Sequence, residues 1–142
     1  MKQIPNHLFF LWVEDEIANG HPVQFRLKGN SMYPFLRSDK DEVVLHPCSS
    51  DELNKMDVVL FRYKGNYLLH RIIRSHGNKL LIQGDGSYVA REECITEDVV
   101  GKVHTVIRPS GRILHVTDWK WRLTSFIWQN IGILRIWLLK IL

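Results

Sequence analysis

Apolar and polar residues alternate in short runs along most of this chain, and the runs predict strands. Residues 23–27, 42–46, 57–63, 67–73, 79–83, 99–107 and 112–116 are rich in Val, Ile, Leu, Phe and Tyr. Between them stand Lys64-Gly65-Asn66, His76-Gly77-Asn78, Gly84-Asp85-Gly86 and Pro109-Ser110-Gly111, residues that favour turns. Short strands punctuated in this way predict a mainly β fold, a compact antiparallel β-sandwich or partly open barrel. The stretch Ser49-Ser50-Asp51-Glu52-Leu53 reads as a short loop or single helical turn with Ser or Asp caps.

The two ends break the alternation. Residues 5–18 predict a helix, with Pro5 suited to its first turn and Asn19-Gly20 and Pro22 as its stop. Leu8, Leu11, Trp12 and Ile17 are read as its buried stripe, although Phe9, Phe10 and Val13 spread apolar surface around it. Residues 119–142 hold Trp119, Trp121, Trp128 and Trp137, four of the five tryptophans, with Lys120, Arg122, Arg135 and Lys140 and no acid. A single helix over residues 123–142 would run about 30 Å, close to the hydrocarbon thickness of a bilayer. Gln129, Asn130, Arg135 and Lys140 interrupt it, which favours a helix lying on anionic lipid, or a short anchor, over a full span. The competing reading is an amphipathic helix docked on the protein's own sheet or on a partner. The chain thus divides into an N-terminal helix (1–20), a β-rich domain (21–118) and a C-terminal hydrophobic helix (119–142).

Length and charge narrow the classes little. The 142 residues suffice for one domain with one core, and a 45% hydrophobic and 24% charged composition is ordinary for a globular protein. The formal charge of +4 is modest. The basic C-terminal stretch carries too much Ile and Leu for a base-stacking platform, so no nucleic-acid partner is expected. Cys48 and Cys94 are too few for a disulfide scaffold and lack metal-ligand spacing, and no histidine pair has zinc-site spacing. No metal and no cofactor are expected. The apolar run at residues 8–13 is short and meets Glu14-Asp15-Glu16, unlike a cleaved secretory leader.

The chemistry centres on Lys28-Gly29-Asn30-Ser31-Met32-Tyr33-Pro34, where a strand runs into a Gly-Asn turn that carries a serine. Alone, such a turn is only a turn. A serine hydroxyl becomes a nucleophile when a neighbouring base takes its proton. His70, amid the apolar run Leu68-Leu69-His70-Arg71-Ile72-Ile73, is a candidate base, and Asp85 a candidate third residue to orient the imidazole. Taken singly, His70 reads first as a hydrogen-bonded core residue and Asp85 as a simple Asp-Gly turn. Lys28 and Lys55 are rival bases.

The order of these pieces, Gly-Asn-Ser-Met-Tyr-Pro, then Lys55-Met56-Asp57-Val58-Val59-Leu60-Phe61, Leu69-His70-Arg71-Ile72-Ile73, Gly84-Asp85-Gly86 and Val99-Val100-Gly101-Lys102-Val103, resembles the type I signal peptidases. Their superfamily also holds the LexA-type self-cleaving repressors. The resemblance covers roughly residues 23–108. Bacterial members and the repressors place a lysine base where this chain has His70, and the chain is similar to the ER-type and archaeal branch, which places a histidine there. The resemblance implies Ser31 as nucleophile, His70 as general base and Asp85 as acidic partner, with small P1 and P3 residues in the substrate. It also implies an oxyanion site at the turn, for which Asn30, the Ser31 N–H and the adjoining Met32 are the positions available.

Three departures accompany it. Gly29 stands where the family usually has a serine that helps the oxyanion. A second acid of the ER-type enzymes falls on Arg91 here, with Glu92 beside it, which leaves the acid open. The candidate anchor is C-terminal, whereas the family's is N-terminal. The function expected is therefore a signal-peptidase-like serine endopeptidase that binds an extended polypeptide beside residues 23–27 or a neighbouring edge. The alternative is a degenerate peptide-binding module on the same fold. The expected location is at a membrane, peripheral or C-terminally anchored, or cytoplasmic, with the side of the membrane open.

Overall fold

The structure, a computed structural model, describes residues 6–87 and 89–142, so the expected first-turn Pro5 lies outside it. The alternating runs form β1 (Val23–Arg26), β2 (Glu42–His46), β3 (Val58–Tyr63), β4 (Asn66–His76), β5 (Lys79–Gln83), β6 (Glu92–Ile95), β7 (Val99–Ile107) and β8 (Ile113–His115). All pairings are antiparallel, and the strands join one open sheet in the order β1-β2-β7-β3-β4-β5-β6, with β8 on β7. The sequence reading missed β6. The residues 49–53 segment is a single 3-10 turn at Ser50–Glu52, with the Glu52 carboxylate accepting the Ser49 N–H at 2.8 Å.

β3 is buried on both faces from Val58 to Phe61. Its alternation sends Val58 and Leu60 into a cluster with Val43, Leu45, Val103 and Val106, and Val59 and Phe61 into a second cluster with Ile72, Leu80 and Ile82. The sheet therefore has apolar packing on each side. Cys94 sits in the second cluster, and burial pushes its thiol up to about 12.

A helix α1 (Asn6–Ala18) covers the first cluster. Its inward residues are Val13 and Ile17, with Phe9 and Phe10 edge-on to Phe25. This corrects the expected stripe: Leu8, Leu11 and Trp12 point to solvent, because the 9/10, 13, 17 spacing is the one that stacks on β1 and Tyr67. Glu14 fixes the helix by accepting the Tyr67 hydroxyl at 2.6 Å and pairing with Arg62. Gly20, at φ +84°, ends it in the left-handed region.

The C-terminal segment is two helices, α2 (Trp119–Asn130) and α3 (Ile133–Ile141), where one was expected. Gly132 at φ +55° separates them, and no described helix is long and apolar enough to cross a membrane. Trp121, Ser125, Trp128 and Arg135 are buried inward, while Trp119, Leu123, Phe126, Ile127, Leu134, Trp137 and Ile141 face outward.

Truncating a side chain of β3 removes contacts where the sheet is packed on both sides. Leu60, fully buried, is the test: Leu60→Ala is expected to cost about 2–5 kcal/mol, read as a lower urea midpoint at unchanged slope.

Candidate active site

The serine turn is built between β1 and β2. Gly29 takes φ +86°, a conformation an L side chain resists, and its N–H is held by Ser38 Oγ at 2.8 Å. The return leg is anchored by Asp41, which is fully buried. Asp41 accepts the Arg37 N–H at 2.7 Å and the Arg37 and Arg108 guanidinium groups at 3.1 and 2.7 Å. Burial opposes the Asp41 charge, yet the Arg37 hydrogen bonds and the Arg108 charge hold its carboxyl below the usual range. Ser31 itself is exposed at the crest.

The Gly84-Asp85-Gly86 turn docks directly beneath that crest. Gly86 donates its N–H to the Ser31 carbonyl at 2.8 Å. A methyl on Gly84 would stand 2.3 Å from the Ser31 carbonyl oxygen, and one on Gly86 would stand 2.5 Å from that of Asn30. Both positions therefore demand glycine for close approach rather than for a special φ. The same Gly84 methyl would be 3.1 Å from His70 Nε2, so the imidazole edge and the Ser31 backbone border one small space. The sequence-predicted serine and histidine are brought together. Among the described residues, no hydrogen bond yet joins the Ser31 hydroxyl to the ring.

Asp85 goes elsewhere. The residue is fully buried, and its two oxygens accept Arg71 Nε and Nη2 at 2.9 and 2.8 Å in a bidentate pair. Gln129 adds a donor to Oδ1 at 3.2 Å. The carboxylate at the imidazole is that of Glu92 on β6, with Oε1 2.6 Å from His70 Nδ1. This is ion-pair distance without the alignment of a hydrogen bond. The expectation of Asp85 as the ring's partner is corrected accordingly: Arg71, the next residue along β4, offers a planar fork that a carboxylate matches better than an imidazole. Burial pushes the His70 ring below its ordinary value, against the upward pull of Glu92 and Asp85. Burial thus favours the neutral form of the ring.

The remaining candidates separate. Met32 is buried, and its thioether accepts the Asp85 N–H at 3.4 Å, so it supports the turn from below. Asn30 is exposed beside Ser31, and among the described residues neither its side-chain amide nor the Ser31 N–H has a partner. Lys28 Nζ turns to Asp39 at 2.7 Å, and Lys55 lines a different cavity, with Gln83 and Arg135. A groove of about 180 Å³ runs beside Ser31, lined by Phe10, Phe25, Leu27, Met32, Tyr67 and Leu69. It lies between the outer edge of β1 and the first half of β4, which pairs with β3 alone because β5 pairs only from Arg71 onward.

Sequence reasoning missed the support from the C-terminus. Trp128 Nε1 donates to the Asp85 carbonyl at 3.0 Å, and Arg135 donates to the carbonyls of Gly84, Asp85 and Ser87 at 2.9, 3.2 and 2.7 Å. An arginine without an acid in its own segment was the only trace. Among the described residues, no cluster of ligating side chains could hold a metal. No family model matches the chain, and no curated protein matches it in sequence.

Removing one member of the Arg71–Asp85 pair strands a buried charge. Asp85→Ala is expected to cost about 3–5 kcal/mol, and the double variant Arg71→Met/Asp85→Leu clearly less, as compared by denaturant midpoints.

Proposed function

We propose that the protein is a serine endopeptidase of the signal-peptidase-like kind, with Ser31 as nucleophile, His70 as base and Glu92 as the acid behind the ring. The observation that carries it is the convergence at Gly84: Ser31 backbone and His70 Nε2 lie against the same glycine, with a carboxylate 2.6 Å from the ring's other nitrogen. The open antiparallel sheet is read as the signal peptidase/LexA catalytic-domain type.

In this reading a peptide lies extended in the groove between β1 and β4 and adds a strand to a free edge. Ser31 Oγ attacks the scissile carbonyl carbon while His70 Nε2 takes its proton. The negative oxygen is met by the Ser31 N–H and the Asn30 amide, which replace the serine donor lost at Gly29. Imidazolium forms beside Glu92, whose charge stabilises it in a water-poor setting, and the ring then protonates the leaving amine. Water, activated by the same ring, releases the acyl group and restores Ser31. The substrate class is a signal or leader type of peptide with small side chains next to the cut. The outward apolar face of α2 and α3, with basic residues and no acid, supports work at a membrane surface.

A second reading, a peptide-binding module without turnover, rests on Gly29 and on the unmade bond between Ser31 and His70. A serine-directed acylating probe read by intact mass separates the two. Wild type is expected to gain one adduct, and Ser31→Ala and His70→Ala none. Silence from folded wild type would favour the module, and labelling that survives His70→Ala would move the base to a lysine.

The pH profile follows from the depressed ring. Only the neutral imidazole is active, so the acidic limb should fall below the ordinary histidine value of about 6.5. Glu92 raises the ring's affinity for a proton, so Glu92→Gln should move that limb lower still. The same variant should reduce kcat by about 10²–10⁴-fold, since the imidazolium loses its counter-charge.

A further inference from the structure

A second cavity, of about 420 Å³, opens where α2 turns into α3 against the ends of β4 and β5. Its charged lining is Lys55, Arg74, Arg91 and Arg135, with the amides of Gln83 and Gln129 beside them, and no carboxylate lines it among the described residues. Lys55, Arg74 and Arg91 stand exposed at its mouth, and among the described residues none of them forms an ion pair. Arg135 forms the floor. It is 7% exposed, its Nη atoms are taken up by the carbonyls of residues 84, 85 and 87 and by Gln83 and Gln129, and its buried Nε–H has no partner. Burial pushes the Arg135 guanidinium down, Asp85 offsets part of this, and Arg71 and Arg91 push it further.

Several like charges held around one polar cavity repel unless an anion joins them. Buried charge is stable when paired, and planar guanidinium groups match tetrahedral oxyanions with parallel hydrogen bonds. The start of α3, at Gly132, adds the positive end of a helix to the rim. The geometry points to a phosphate-binding site here, with Arg135 at its base and Lys55, Arg74 and Arg91 around its mouth. The group bound is a phosphate, either free or borne on a lipid headgroup. The site is separate from the Ser31 groove, and its existence does not depend on the peptidase reading.

The test is thermal unfolding of the full chain with inorganic phosphate, against chloride at equal ionic strength, for wild type and Arg74→Ser/Arg91→Ser. Both substitutions are on exposed side chains. Phosphate in tenfold excess over its Kd is expected to raise the wild-type midpoint by about 5 °C, and to raise that of the double variant by little. Equal midpoints in phosphate and chloride, or equal phosphate shifts in the two proteins, would overturn the proposal. Should the double variant melt lower without ligand, isothermal titration with phosphate below its transition reads the same loss of affinity. Glycerol phosphate and phosphatidylglycerol vesicles then identify the source. Tighter binding of these, weakened in the double variant, indicates a lipid headgroup, and tighter binding of inorganic phosphate indicates the free ion.

Discussion

The buried pair between Arg71 and Asp85 is the constraint from which the rest of the site takes its geometry. Both side chains are without solvent exposure, so each must be satisfied by the other. Arg71 lies on β4 next to His70, and Asp85 lies between the two glycines that touch the serine turn. Joining them therefore fixes how far the imidazole strand stands from Ser31. Such a pair adds little to stability over an apolar substitute, and its value is in permitting one arrangement of the two strand ends. Arg71 Nη1 also holds the Met56 carbonyl at 3.0 Å, which ties the entry to β3 into the same framework.

How much of this was legible depends on whether local pattern or long-range partner choice was decisive. Seven strands followed from alternation alone, because each presents one or two apolar faces. β6 did not, since its inward positions are Glu92 and Cys94, and a charge at a core position reads as loop. That charge is the one at the imidazole. The α1 face was misjudged because nearly every position of the helix is apolar, and only the aromatic partners Phe25 and Tyr67 decide which side is covered. The C-terminal break was signalled by Asn130 and Gly132, but the apolar run on either side of them outweighed it.

Ser31 and His70 were singled out because their surroundings are unusual for their residue types, and the fold sets both against Gly84. Asp85 pairs with Arg71 where the imidazole was expected, for a different reason. A sequence shows which acids are near a strand end but not which of two adjacent residues, His70 or Arg71, each will face. Period-two geometry sends the neighbours to opposite sides, so the error of one residue exchanged the ring for the guanidinium.

The hold of Arg135 on the carbonyls of residues 84, 85 and 87 has a bearing on how the protein comes into being. Translation delivers Ser31, His70 and Glu92 long before residue 135 has left the ribosome, and a nascent chain at that stage carries all three without the brace behind their turn. The order of synthesis thus works as a delay, in which the brace on the turn beneath Ser31 arrives only with residue 135.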